Sequence, residues 1–295
     1  MTDGTEAMAA TLEASGDYRV LRRLRPRSVI TPADGTPTKR AIFLDVETTG
    51  LDPARDEIIE LAMVPFTYSA DGRIFEVGRA FEQLQQPAQP ISAEITALTG
   101  IDDALVAGKT IDLAEVRAFA APASLVIAHN ANFDRRFVER LSDVFTTKAW
   151  ACSMSQVPWA AEGFSGGKLR YLASDMGFFF DGHRAAADCQ AAIALLAERL
   201  PKSGVLALAA LLENARKVTQ RIWAEGSPFD LKDILKARGY HWNGDNAAQP
   251  KAWYRDVAAA DVPDELRFLR TEIYQRDVDL RMTEITAYDR FSVRI

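Results

Sequence analysis

The chain is poor in cysteine and histidine, and it has no long apolar run. Its 295 residues include two cysteines and three histidines. Cys152 and Cys189 are too few for a disulfide framework, and neither belongs to a Cys-X-X-Cys metal-binding pattern. No segment approaches the roughly 18 consecutive apolar residues that a membrane-spanning helix needs. These absences argue against a disulfide-stapled or membrane-spanning protein and predict a cytoplasmic one.

Positive charge is not in excess either. Lys and Arg total 35 against 41 Asp and Glu, for a net charge of −6. A protein that coats duplex DNA by neutralising phosphates is usually basic, so this balance argues against passive binding over a large duplex surface. It does not argue against a nuclease, because bound cations offset the charge of metal-binding carboxylates.

The length and the 48% hydrophobic content predict two globular domains. Residues 1–17 are acidic, polar and without periodicity, and they lack the order of a secretory signal, so we expect a disordered tail. The basic stretch YRVLRRLRPRSVI that follows fits an edge strand or a short helix. Its arginines are expected in a solvated face, with contact to nucleic acid as the alternative. The predicted parts are an N-terminal tail and edge segment (1–39), a main domain (40–201) and a C-terminal accessory module (202–295).

The main domain has the pattern of an α/β fold. AIFLDVE is the continuous apolar run of a buried strand, and the turn residues TTGLDP end it. DEIIELAMVPFTY and GRIFEVGRAFEQL are further strands, with a hairpin signal at Asp71 and Gly72. Helical patterns then alternate with the strand SLVIAHN, and Ser92 and Gly100 mark the ends of the first helix. The order predicts a mixed sheet flanked by helices.

The C-terminal module reads as small and α+β. Helices are predicted in VLALAALLENARKVTQRIW, FDLKDILKARG and PDELRFLRTEIYQ. YHW and KAWYRDV are predicted strands about the turn NGDNAAQP, and a terminal strand is expected in VDLRMTEITAYDRFSVRI.

Aromatic and basic residues interleave in this module. They suit a stacking platform for single-stranded nucleic acid. A domain of about 90 residues also needs large side chains for its core, so we expect at least two of the aromatics to serve that core. Binding of a protein partner is the third alternative. The residues are Tyr240, Trp242, Trp253 and Tyr254, with Lys232, Lys236, Arg238, Lys251 and Arg255 nearby.

Asp45 and Glu47 form a carboxylate pair near the end of the first buried strand. Because they are two residues apart, both side chains leave the same face of the strand. α/β folds place ligand sites at such strand ends. Two adjacent carboxylates repel each other unless they are protonated or bound to a cation, so the pair suggests Mg²⁺ or Mn²⁺. A solvated strand end is the alternative.

Three further polar residues have ordinary explanations when taken singly. Asp134 opens the helix after SLVIAHN, where an acidic residue often caps a helix. His183 lies in a loop, and Asp188 follows in the first turns of the next helix. His129 and His241 have no such carboxylate partner in sequence.

Together, the motifs DVETTG, NANFD and HRAAAD resemble those of the DEDD exonuclease superfamily, in its histidine-bearing DnaQ-like (DEDDh) branch, which includes the epsilon subunit of bacterial DNA polymerase III. The resemblance covers about residues 40–200 and implies a ribonuclease-H-like fold. A sister branch has tyrosine four residues before the last Asp, where this chain has Arg184. The histidine branch is therefore supported.

The resemblance implies a two-metal hydrolase that acts on DNA 3′ ends, or on RNA 3′ ends as the alternative. Two Mg²⁺ or Mn²⁺ ions about 4 Å apart would activate a water and stabilise the leaving oxygen. His183 would be the general base. The implied metal ligands are Asp45, Glu47, Asp134 and Asp188. The implied substrate contacts are Thr48, Thr49, Gly50, Leu51 and Asn130.

The sequence also departs from the epsilon pattern. It has TKAWACSMSQVPW where many relatives have an Asp-Thr pair, and no convincing clamp-binding peptide. A polymerase or repair partner is therefore an expectation, and a stand-alone or repair enzyme suits the chain at least as well as a proofreading subunit. A catalytically silent binding subunit is the rival from outside the enzymes.

Overall fold

The fold was obtained as a computed structural model and is described for residues 2–244 and 249–294. It consists of two compact units, Met1–Leu212 and Glu213–Ile295. Within the described ranges, no helix has both the length and the apolar character needed to cross a membrane.

The first unit has a run of strands followed by helices and strands in alternation, as the sequence predicts. Their order is α1 (Thr2–Ala14), β1 (Arg22–Arg23), β2 (Thr38–Thr48), β3 (Ile58–Ser69), β4 (Ile74–Val77), β5 (Phe81–Leu84), α2 (Ala93–Thr99), α3 (Asp103–Val106), α4 (Leu113–Ala120), β6 (Leu125–Ala128), α5 (Ala131–Leu141), β7 (Ala149–Cys152), α6 (Leu169–Asp175), β8 (Phe178–Phe179), α7 (Ala185–Ala197) and, across the boundary between the units, α8 (Ala207–Arg216).

A mixed sheet forms the centre of this unit. Its order is β4-β3-β2-β6-β7, and β5 also pairs with β3. The central strand β2 is antiparallel to β3 and parallel to β6, which is parallel to β7. Residues 41–44 of β2 and 59–64 of β3 are almost fully buried, so both faces of the sheet are covered there. Helix α7 packs against both strands. The predicted α/β fold with a mixed sheet flanked by helices is confirmed.

The N-terminal residues depart from the prediction. The disordered tail expected for residues 1–17 is wrong, because most of it forms α1. The segment is rich in alanine, the strongest helix former. Glu6 and Glu13 lie seven residues apart, hence on one side of the helix. Both bind the guanidinium of Arg22, at 2.5 and 3.1 Å.

An antiparallel sheet of order β10-β11-β9-β12 forms the second unit. Its core includes Ile222, Leu235, Tyr240, Val257 and Leu269. The elements are β9 (Thr219–Ala224), α9 (Lys232–Ala237), β10 (His241–Trp242), β11 (Trp253–Ala258), α10 (Val262–Phe268, continued by a π-helical turn over Leu269–Tyr274) and β12 (Met282–Ile285).

Two predictions for this region need correction. The helix expected over VLALAALLENARKVTQRIW ends at Arg216, and TQRIW belongs to strand β9. Its β-branched and aromatic side chains suit a strand that has neighbours on both sides, here β11 and β12. The terminal strand is only the four residues of β12. In the turn NGDNAAQP, residues 245–248 lie outside the described residues.

Of the interleaved aromatics, Tyr240 is buried in the core of the second unit and Trp253 packs against that core. Trp242 lies opposite Trp253 across the β10–β11 pair, with its side chain 55% exposed. The expectation that at least two aromatics serve the core is confirmed.

Candidate active site

Strand β2 carries the first two acidic residues of the site. Asp45 and Glu47 lie at its carboxyl end and point to the same side of the sheet, because side chains alternate along a strand. Their neighbours across β3 are Ala62 and Glu60. The regular pairing shifts after Glu47, at Thr48, where β2 leaves the sheet. The chain thus presents both carboxylates where the central strand ends.

Helix α7 brings a third carboxylate to this point. Asp188 is in its first turn, and the helix packs on β2 and β3. One carboxylate oxygen from each of Asp45, Glu47 and Asp188 lies within 4.8 Å of the other two. Asp45 and Asp188, which are 143 positions apart in sequence, therefore belong to one oxygen-rich cluster.

Asp134 lies beside this cluster. It is in the first turn of α5 and is 2% exposed. Its Oδ1 accepts a hydrogen bond from the backbone N–H of Val46 at 3.3 Å, which ties α5 to the strand between Asp45 and Glu47. Asp134 is also close enough to Asp45 to raise the pKa of that carboxyl. It is a fourth acidic neighbour rather than a helix cap alone.

The cluster is electrostatically costly without a counter-charge. Burial and then the neighbouring carboxylates raise the pKa of Asp45 well above its ordinary range. Burial, with Asp188 and Glu60, raises the pKa of Glu47 to about 8. Burial also raises the pKa of Asp188 to about 6, and that of Asp134 well above its usual value. A cation bound among these groups would favour their ionised forms.

His183 adjoins the cluster through its backbone. Its N–H donates to Oδ2 of Asp188 at 2.9 Å, so the loop and the start of α7 are fastened to each other. The residue has φ of +65°, a left-handed conformation that non-glycine residues seldom adopt. Burial and the nearby charge of Arg170 lower the pKa of His183. The imidazole is therefore neutral at neutral pH.

The loop after Glu47 is closed by its own hydrogen bonds. Thr48 Oγ1 donates to the carbonyl of Gly50 at 2.6 Å, and Thr49 Oγ1 accepts from the N–H of Glu57 at 3.0 Å. A Cβ on Gly50 would lie 2.5 Å from Oδ2 of Asp56, so a larger residue would displace a carboxylate that accepts from the N–H of Asp52. Leu51 is 83% exposed at the tip. A large apolar side chain held in solvent on an ordered loop is suited to contact a ligand.

Asn130 is the residue before α5. It has φ of +83° and its side chain makes no capping hydrogen bond to the helix. Asparagine tolerates this left-handed conformation better than most residues, which explains its presence at the sharp entry to the helix. Phe133 packs against Phe137 with ring centroids 4.9 Å apart and the ring planes tilted by 51°.

Glu60 belongs to the same neighbourhood, and sequence reasoning missed it. It is fully buried on β3. Its Oε1 accepts from Arg184 Nη2 at 2.8 Å and its Oε2 accepts from the N–H of Ala185 at 2.9 Å, which anchors the start of α7. The sequence does contain a signal for Glu60, because a buried carboxylate between Ile59 and Leu61 in an apolar strand requires a hydrogen-bonding or charged partner.

His129 is a structural histidine. Its Nε2 lies 2.7 Å from the carbonyl of Gly167 and its Nδ1 2.9 Å from Oγ of Ser153. Because a carbonyl only accepts, Nε2 carries the proton and Nδ1 accepts from the hydroxyl. Burial lowers the pKa of His129 to about 4.

This histidine predicts a loss of stability in acid. Its pKa is lower in the folded than in the unfolded chain, so its contribution is complete above about pH 6.5 and is lost as the pH falls towards 4. We expect a loss of about 2 kcal/mol between pH 7 and pH 5 from this group. Urea unfolding of His129→Gln should show a pH dependence weaker by that amount. An unchanged difference between the two pH values would contradict the assignment.

The exonuclease family match over residues 42–196 and the carboxylate cluster define a nuclease of the DnaQ-like 3′→5′ exonuclease superfamily. A family model described as exonuclease and named for RNase T matches residues 42–196, more than half of the chain. The chain belongs to this RNase T exonuclease family.

Its relatives include bacterial proteins named for DNA polymerase III. A PolC-type DNA polymerase III from Thermotoga petrophila is 40% identical over 100 residues, 33% of this chain and 7% of that protein. A DNA polymerase III subunit epsilon-like protein from Rhodobacter capsulatus is 40% identical over 111 residues, 36% of this chain and 15% of that protein. The chain thus matches only a small part of these curated relatives.

The fold is also similar to that of a solved exonuclease. A structure of Escherichia coli exonuclease I in complex with a 5cy-dT13 oligonucleotide has a TM-score of 0.50 and 16% identity, covering 79% of this chain and 71% of that chain. The likeness concerns the fold.

Proposed function

We propose that the protein is a cation-dependent 3′→5′ exonuclease that removes nucleoside 5′-monophosphates from DNA, with preference for single-stranded 3′ ends. The observation that carries the proposal is the cluster of Asp45, Glu47 and Asp188 at the end of the central strand. We further propose that it acts in the cytoplasm in proofreading or repair. The DNA polymerase III names of its relatives support DNA rather than RNA as the substrate.

The donor set fits two Mg²⁺ or Mn²⁺ ions. All of the donors are carboxylate oxygens, the ligands that hard divalent cations prefer. Asp45, Glu47 and Asp188 would hold the ions, and Asp134 would join them through Oδ2, since Oδ1 accepts from Val46. When bound, such ions lower the pKa of a water and stabilise the negative charge on the leaving 3′ oxygen.

His183 is the proposed general base. Its lowered pKa leaves the imidazole neutral near pH 7, so it can accept the proton of the attacking water. Asp188 accepts a hydrogen bond from the backbone N–H of His183 and so positions the loop that carries the imidazole ring.

The loop of Thr48, Thr49 and Gly50 is proposed to receive the 3′-terminal nucleotide along its backbone. The exposed Leu51 would pack against the terminal base, and Asn130 would contact the substrate from the start of α5. Apolar contact with a base is independent of its identity, which suits an enzyme that removes every nucleotide in turn.

The experiment is a product assay on matched oligonucleotides. DNA and RNA strands of one sequence, single-stranded or in duplex, would be incubated with the protein and MgCl₂, and the products separated by chromatography. We expect 5′-mononucleotides released stepwise from single-stranded DNA, and none when EDTA is present. Release of longer fragments would refute an exonuclease, and faster release from RNA would identify an exoribonuclease.

His183→Ala should slow hydrolysis by roughly 10²–10⁴-fold, the range of a general base. Cation binding should persist, because the carboxylates remain. His241→Ala is the matched control, since His241 lies exposed on β10 in the second unit. The measurement is the single-turnover rate of mononucleotide release with saturating Mg²⁺. A rate within threefold of the parent protein would remove His183 from the mechanism.

A further inference from the structure

A segment before the exonuclease domain runs along the loop that leads to His183. Residues 19–24 precede the family match, which begins at residue 42. The N–H of Arg22 donates to the carbonyl of Gly177 at 3.0 Å, and that of Leu24 to Phe179 at 2.8 Å. These bonds make β1 the parallel partner of β8.

Arginine side chains fasten the same segment at both ends of β8. Arg23 Nη1 lies 2.6 Å from Oδ2 of Asp181, two residues before His183, and its guanidinium lies 4.9 Å from the ring centroid of Phe179. Before β8, Arg19 hydrogen-bonds to the carbonyl of Ser174 at the end of α6. The contacts span the whole approach to His183.

Helix α6 also lies against β8. Across residues 2–244 and 249–294, β1 is the only strand with which β8 pairs. His183 itself has the left-handed φ of +65°, which an unrestrained histidine would tend to leave. Asp188 and the Glu60–Arg184 pair hold the loop after this residue. Residues 19–24 hold the part of the loop that precedes His183.

The charges of the segment favour an anchoring role over phosphate binding. Arg19 lies 3.7 Å from Asp175, and Arg22 contacts both Glu6 and Glu13. Arg23 contacts Asp181, so the guanidinium groups of Arg19, Arg22 and Arg23 each already have a carboxylate partner. A phosphate would have to displace it.

We propose that residues 19–24 are a positioning strap for the loop that carries His183, and that Arg23 is the principal positioning residue of this strap. The proposal rests on the proposed exonuclease function, in which His183 accepts a proton. Misplacing a reacting group by about 1 Å can slow a reaction as much as a hundredfold. Loss of one strap contact is therefore expected to slow hydrolysis without weakening substrate binding.

The test compares Arg23→Ala with Arg27→Ala in the full chain. Arg27 is exposed in the same basic stretch, so its variant removes an equal charge without removing a contact with β8. For release of mononucleotides from single-stranded DNA, we expect Arg23→Ala to lower kcat about tenfold with KM unchanged, and Arg27→Ala to change neither. Arg23→Lys, which keeps the charge, should lie between them.

A second comparison separates positioning from general support of the fold. In a His183→Ala background, Arg23→Ala should lower kcat no further, because coupled residues are not additive. A tenfold fall in that background would overturn the proposal, as would equal kcat in Arg23→Ala and Arg27→Ala. An increase in KM shared by both variants would indicate phosphate binding instead.

Hydrogen exchange gives a readout that does not need activity. Peptides covering residues 177–184 should take up deuterium faster in Arg23→Ala than in the parent protein, and not in Arg27→Ala. If the parent protein releases no mononucleotide, the proposed function fails, and exchange alone then decides whether the strap orders the loop. Unchanged exchange in Arg23→Ala would overturn the strap in either case.

Discussion

Asp45→Asn or Asp188→Asn is expected to reduce mononucleotide release by at least about a thousandfold. Each change keeps the size of the side chain and removes one negative charge from the cluster that has its oxygens within 4.8 Å of one another. Divalent cations contribute several kcal/mol of transition-state stabilisation, and about 4 kcal/mol corresponds to a thousandfold in rate. The measurement is the initial rate with 3′-labelled DNA at saturating Mg²⁺.

The matched control is Glu76→Gln. Glu76 is an exposed carboxylate on β4, at the edge of the same sheet. Glu76→Gln removes one negative charge from the same unit and should leave the rate of mononucleotide release within twofold of that of the parent protein. Far-ultraviolet circular dichroism should show that all three variants are folded. More than a tenth of the parent activity in either cluster variant would contradict the proposed cation site.

The features that sequence predicted best depend on neighbouring residues. The apolar run before Asp45, the turn after Thr48, and the capping pair of Ser92 and Gly100 are each local, and each has its expected structure. The assembly of Asp45 and Glu47 with Asp188 is not local. Motif order and family resemblance predicted it, and no periodicity could have done so.

What sequence missed depends on partners that are distant in the chain. Residues 219–223 continue a helical pattern, and only pairing with β11 and β12 makes them a strand. Glu60 is opposite Glu47 because of the register of β3 against β2. The arginines of the basic stretch are exposed, as predicted, but the contact of Arg23 with Asp181 joins residues 158 positions apart and has no local signal. Tertiary context overrode the local pattern for residues 219–223, whereas for Glu60 and Arg23 the sequence did not identify the partner.

We expect the metal-free protein to become more stable when Asp45 is changed to asparagine. Burial and neighbouring carboxylates raise the pKa values of Asp45 and Glu47 in the folded chain. For Glu47 the change from 4.5 to about 8 corresponds to up to about 5 kcal/mol of lost stability above pH 8. Water and local relaxation screen such charges, so we expect Asp45→Asn to recover about 2 kcal/mol.

The direction of the pH dependence distinguishes this effect from that of His129. A carboxyl whose pKa is raised on folding costs nothing below about pH 4, where both states are protonated, and costs more as the pH rises to 8. The contribution of His129 is constant above about pH 6.5. Between pH 6.5 and 8.5, stability in EDTA should therefore fall for the parent protein and fall less for Asp45→Asn.

Cations should reverse the order of the two proteins. A ligand that binds only the folded state stabilises it by about 2.7 kcal/mol at a hundred times its Kd, and a bound cation also favours the ionised carboxylates. Scanning calorimetry of the full chain should show a large rise in Tm with MgCl₂ for the parent protein and a small one for Asp45→Asn. An equal rise in both, or a lower Tm of the variant in EDTA at pH 8, would contradict this account. Repulsion among the carboxylates would then not be what lowers the stability of the metal-free protein.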